Sequence, residues 1–167
     1  CSESSNQNIT INATPSAGLS ASSPACSGDS VNFSNTGTTG ITYAWTFGSG
    51  AAPASSISEN PMGIIYGTPG IKNIRQVVTM GTCTDTAFST VSVTEAPIPS
   101  FTTTAPQCEG AEVDFTYTGT TGAAWTYLWD FGTGASPSLS SGQNPTGVSY
   151  TGSGSKTVTL TVSNQLC

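Results

Sequence analysis

The octet YAWTFGSG at Tyr43–Gly50 returns as YLWDFGTG at Tyr127–Gly134, 84 residues later. A ligand-binding loop in duplicate and the core of a repeated structural module would both leave such a trace, so the extent of the repeat decides the fold. Trp45 and Trp129, Phe47 and Phe131, Pro61 and Pro145, and Tyr66 and Tyr150 all share the spacing of 84. Val31 and Val113, and Phe33 and Phe115, lie 82 apart. Two residues are therefore inserted within TGTTGAAWTY, and an insertion confined to a Gly/Thr-rich stretch marks a loop. The cysteines keep the same beat, with Cys1 to Cys83 and Cys26 to Cys108 at 82 and Cys83 to Cys167 at 84.

CSESSNQNITIN at the start aligns with CTDTAFSTVSVT from Cys83. The expectation is that 1–12 is the last strand of a preceding module, 13–96 a complete module, and 97–167 a module without its last strand. On that reading the chain is a section of a longer array, and the strand 1–12 packs on a module outside its own chain.

Composition narrows the fold class. Charged residues make up 7% of the 167 residues, against roughly 25% in an ordinary domain, which leaves too few for helices that cover a core with charge. Thr, Val and Ile favour strands, so the chain reads as all-β. The second module resolves into SFTTTA, EVDFTY, YLWDFG, GVSY and KTVTLTVSN, spaced as in a β-sandwich. Val113, Phe115 and Tyr117 share one strand face, as do Val158, Leu160 and Val162. The first module's KNIRQVVT is less regular, because Gln76 stands where Leu160 does. A buried partner for Gln76 or a bulge is required there.

Several functions are excluded or disfavoured. Three basic residues against nine acids leave no patch for nucleic acid, and no apolar run approaches the roughly 20 residues of a spanning helix. Histidine is absent, which removes the commonest general base and zinc ligand. No metal, cofactor or catalytic residue is expected, and the chain reads as a non-enzyme. Glu112 and Asp114 belong to the solvent face of an alternating strand. Five cysteines in a Lys-poor, Ser/Thr-rich chain point to an oxidising, extracellular setting, with one thiol free or paired outside the chain.

Trp45, Phe47, Tyr66, Trp129, Phe131 and Tyr150 are the expected core, each indole N–H reaching a backbone carbonyl. The glycines that follow form a tight turn and not a phosphate cradle, since no helix opens behind them. Asn60-Pro61 and Asn144-Pro145 make an extended bend. Trp125 belongs to the inserted loop, where three roles are open: packing on its own linker, contact with a neighbouring module or chain, or sugar binding.

The order Tyr-x-Trp-(Asp)-Phe-Gly-x-Gly, Asn-Pro-x-x-x-x-Tyr, Gly, Val-x-Leu-x-Val resembles the polycystic-kidney-disease (PKD) repeat. The likeness is greatest to the tandem form on large secreted bacterial surface proteins, many of them type IX secretion substrates. It implies tandem immunoglobulin-like sandwiches in an extracellular stalk, adhesin or filament at a cell surface. A carbohydrate- or protein-binding module is the alternative. Partners would be neighbouring modules of the same chain, within a homo-oligomeric filament or bundle. Calcium at the Gly-x-Gly turn is disfavoured, because Thr46, Ser49 and Thr133 replace carboxylates the family often carries there and only Asp130 remains.

The tandem topology implied by the resemblance puts the early cysteine of a module near its exit and the late one near its entrance. This favours an inter-module Cys26–Cys167 bond, with intra-module Cys26–Cys83 and Cys108–Cys167 as the alternative. Asp29-Ser30-Val31 and Asp85-Thr86-Ala87 resemble the Asp-(Ser/Thr)-aliphatic O-glycosylation signal of such bacteria, which would modify Ser30 and Thr86.

Overall fold

The computed structural model describes residues 1–122 and 124–167. They form two compact units, Cys1–Thr94 and Glu95–Cys167, each built of β-strands. The fold is all-β and immunoglobulin-like in architecture.

In the first unit, one layer contains β1 (Leu19–Ala21) paired with β4 (Phe33–Asn35), and β3 (Ser30–Val31), β8 (Ile64–Tyr66) and β6 (Ala51–Ala52) in the order β3-β8-β6. The other layer is a five-stranded sheet in the order β2-β10-β9-β5-β7. Its members are β2 (Ala25–Cys26), β5 (Thr42–Thr46), β7 (Ser55–Ser56), β9 (Gly70–Met80) and β10 (Cys83–Thr94). The alternation that makes these segments strands also builds the core. Val31, Phe33, Trp45, Phe47, Ile74, Val78, Val91 and Val93 all point between the layers and are buried. Phe33 stacks on Phe47 at 4.9 Å between ring centroids.

The second unit repeats this plan with β11 (Phe101–Thr103), β12 (Glu112–Val113), β13 (Phe115–Tyr117), β14 (Thr126–Asp130), β15 (Ala135–Ser136), β16 (Leu139–Ser140), β17 (Val148–Tyr150) and β18 (Thr159–Ser163). Register is preserved pair by pair. Leu19 faces Asn35 as Phe101 faces Tyr117, and Trp45 faces Gln76 as Trp129 faces Leu160. Only β2 and β10 have no counterpart among the described residues.

Residues 1–12 contain no strand within this chain, and Ile9 and Ile11 are 80% and 85% exposed. Two expectations need correction. The run KTVTLTVSN is a strand only from Thr159, because no counterpart of β10, which holds the equivalent half of β9, stands beside it among the described residues. EVDFTY is divided at Asp114 into β12 and β13, which pair with different neighbours, although Val113, Phe115 and Tyr117 do share the buried side.

Candidate functional site

The doubled octet is a packing unit. Trp45 and Trp129 are 1% and 0% exposed, and each indole N–H donates to a backbone carbonyl at 2.9 Å, Ser58 in one unit and Gly142 in the other. Gly48 and Gly132 have φ of +78° and +76°. A Cβ on either would stand 2.8 Å from the carbonyl oxygen of Asn73 or 2.5 Å from that of Thr157, so the turn demands glycine twice over. The side chain of Asp130 accepts from the Gly132 amide at 2.9 Å and so serves the turn itself.

The Asn-Pro pairs tie the layers' ends. The Asn60 and Asn144 side-chain oxygens accept from the amides of Asn35 and Tyr117 at 2.9 and 2.8 Å. The carbonyls of Pro61 and Pro145 accept from Phe33 and Phe115 at 2.8 and 2.9 Å. Asp114 accepts from the Gly147 amide at 2.9 Å, as Asn32 does from Gly63. Glu109 accepts from Gly152 at 2.7 Å. These two carboxylates hold backbone in place.

Gln76 solves its burial without a bulge. It is fully buried in an unbroken β9, where its amide donates to Asn35 Oδ1 at 2.8 Å and its carbonyl accepts from Gly18 at 3.1 Å. The second unit replaces both members, with Leu160 for Gln76 and Tyr117 for Asn35, and Tyr117 packs edge-on against Tyr127 at 5.0 Å. The Tyr117 hydroxyl donates to the Thr120 carbonyl at 2.6 Å. In the first unit the Tyr43 hydroxyl reaches the matching Thr38 carbonyl at 3.0 Å. The polar pair and the aromatic pair were exchanged together, which no single position reveals.

Trp125 is half-buried, and its indole lies over Gly122 of its own loop, where a Cβ would fall 2.6 Å from the ring. Ser30 is exposed on β3, whereas Thr86 is half-buried on β10. The Asp85 carboxylate accepts from the Ala17 and Thr86 amides, both at 2.8 Å, and these bonds hold its pKa below the usual value. Cys1, Cys83 and Cys108 are free thiols, whereas Cys26 and Cys167 are each disulfide-bonded.

The units differ most at one place. In the first, the end of β10 lies between β9 and β2, pairing Val91 with Lys72 and Val93 with both Gly70 and Ala25. Val91 and Val93 are 0% and 3% exposed. In the second, the corresponding space is an open cleft of about 740 Å³, lined by Phe101, Val113, Phe115, Tyr150, Val158 and Cys108 among others. Tyr150 is consequently only half-buried, and its hydroxyl has no partner among the described residues. The equivalent Tyr66 hydroxyl donates to the Phe47 carbonyl at 2.8 Å, and burial pushes its pKa up to about 12. Sequence alignment signals the missing strand; the apolar cleft it leaves emerges from packing.

Residues 94–166 match the family model of the PKD domain. The second unit is a PKD-like domain. No curated protein matches the chain. PKD-like sandwiches are typically extracellular structural or adhesion-type modules without catalytic machinery. Shared packing accounts for the doubled octet: the contacts common to the two units lie at the tryptophan, the turn and the bend, and face the interior.

Proposed function

We propose that this chain is a spacer segment of a long extracellular stalk, adhesin or filament on a bacterial surface, in which residues 1–12 and 97–167 belong to modules of a continuing array. The observation that carries this reading is the sharing of strand register and interior contacts between two units whose exposed loops differ. A spacer needs a repeated, self-sufficient core; it does not need a repeated surface. Type IX secretion fits the bacterial tandem form that the motifs resemble. A Cys26–Cys167 bond would staple consecutive modules, and the free state of the other three cysteines favours that pairing. The spacer role requires no metal, cofactor, nucleic acid or membrane insertion.

The test is to delete one or more modules from the full-length surface protein and measure the distance of a terminal tag from the cell by immunoelectron microscopy. The spacer reading expects that distance to shrink in proportion to the modules removed. An unchanged distance, with loss of binding to a glycan or protein array instead, would favour a recognition module.

A further inference from the structure

We propose that the outer face of the sheet containing β5 and the outer face of the sheet containing β14 are complementary, and that they join the first unit of one copy to the second unit of another, side by side. The first unit's face follows from its register. Alternation buries Trp45, Ile74, Gln76 and Val91, and so turns Thr46, Arg75 and Phe88 outward, where they stand abreast on β5, β9 and β10. Phe88 is 73% exposed, and Ile57, just past β7, is 84% exposed. In the second unit Leu128 and Asp130 on β14 turn outward, and Asp130 stands abreast of Leu139 on β16 and Thr159 on β18. Leu128 and Leu139 are 53% and 56% exposed. Both faces centre on strands paired on either side, β9 between β10 and β5, and β14 between β16 and β18.

Each face carries one charge, and the signs are opposite. Among the outward residues of β5, β7, β9 and β10 the charged side chain is Arg75, and among those of β14, β16 and β18 it is Asp130. The two charges belong to the same facing pair of the repeat: Thr46 faces Arg75, and Asp130 faces Thr159. A couple of threonine and charge is thus repeated with its sign reversed. Arg75 is also the one exposed base of the chain, since Lys72 is buried and Lys156 half-buried. With a net charge of −6, copies repel one another in most orientations, and a face centred on a lone cation is where a partner's isolated carboxylate is attracted. Two like faces would set arginine on arginine or aspartate on aspartate, which selects the unlike pair. Stacked sheets stand about 10 Å apart, a gap an arginine crosses, and Phe88, Ile57, Leu128 and Leu139 supply apolar contact around it. A face four strands wide and five residues long measures about 14 by 17 Å, less than a stable protein pair needs. One contact is therefore weak, and a repeated array gains by avidity. This deepens the spacer reading by saying how stalks stand together, with every unit keeping its own strands and its place in its array. It is tested on the purified chain, so it can fail or stand independently of the cell-surface measurement.

The test uses the whole chain with Arg75→Lys, which keeps the charge and supplies an amine. Equal amounts of isotopically heavy and light chains are mixed and treated with a water-soluble carbodiimide, which couples an amine only to a carboxylate in contact with it. Mass spectrometry should then find heavy–light peptides joining position 75 to Asp130 in excess of those joining position 75 to any other acid. Sedimentation of the unaltered chain at concentrations up to about 1 mM should show weak, concentration-dependent association. Arg75→Glu alone and Asp130→Lys alone should each weaken it at least about tenfold. Both together in one chain should restore it, because the pair is then reversed. Asp130 also accepts from the Gly132 amide, so Asp130→Thr is the second variant: it installs the residue with which the first unit builds the same turn, and it too should weaken association. Thermal unfolding checks that each variant is folded. A monomer across that range, cross-links confined to one chain, position 75 joined chiefly to first-unit acids, or association indifferent to Asp130→Thr in folded protein would each overturn the proposal.

Discussion

The strand that opens at Gly70 runs for eleven residues, whereas its counterpart in the second unit, β18, runs for five. The shorter strand has the cleaner pattern. KTVTLTVS alternates without fault, while KNIRQVVT places a glutamine at a core position. Intrinsic β-propensity therefore fails to rank them, and the presence of a neighbour succeeds. β9 is flanked along its length by β10, whereas among the described residues β18 pairs only with β14. A strand's extent is a property of the pair.

The equivalence of the two cores is the part of this comparison that can break most visibly. Trp45→Ala and Trp129→Ala each remove a buried indole and its hydrogen bond, and each should destabilise its own unit by about 3–5 kcal/mol. Denaturant unfolding followed by tryptophan fluorescence should show one transition displaced per variant. Loss confined to one of the two would mean that the repeated octet has different roles in the two units.

The exchanged interior pairs sharpen the comparison. Gln76→Leu strands the Gly18 amide and leaves Asn35 Oδ1 with only its longer bond from the Gly37 amide, at a cost of about 1–3 kcal/mol. Adding Asn35→Tyr imports the second unit's solution and should recover much of the loss. In the reverse direction, Leu160→Gln places an amide at a half-buried position that lacks an asparagine partner, and it should cost less than the loss at Gln76. Thermal unfolding of the singles and the double forms a cycle, and strict additivity would refute the coupling.

A smaller difference lies in acid. The hydrogen bonds from Ala17 and Thr86 lower the folded-state pKa of Asp85 below its ordinary value of 3.8. Its contribution is thus complete above the unfolded pKa and is lost as pH falls through the folded one. The first unit should lose stability progressively below about pH 4. Asp85→Asn should flatten that part of the pH–stability curve, and an unchanged slope would show that the carboxylate is not bonded as described.

Much of the fold was legible because the repeat is written in large residues. Trp45, Phe47 and Tyr66 are spaced like Trp129, Phe131 and Tyr150, and their alternation reports which side is buried. Gln76 was legible as a problem but not as a solution, since its partner Asn35 lies 41 residues away and lacks any local signature. Trp125 could not be resolved from its loop composition, because its contact with Gly122 depends on how that loop turns. Residues 1–12 illustrate the same limit. Their alternating Ile9 and Ile11 carry a strand pattern, yet a pattern without a sheet edge beside it remains coil.

Amide hydrogen exchange at residues 154–158, compared with 70–74 of the same chain, tests most directly whether the second unit is the first without one strand. In a dilute sample the account predicts fast exchange at 154–158 and slow exchange at 70–74, where β10 supplies the partners. Adding a synthetic peptide with the sequence of residues 84–94 should then slow 154–158 selectively. Slow exchange at 154–158 before any peptide is added, or no protection after it, would contradict the account.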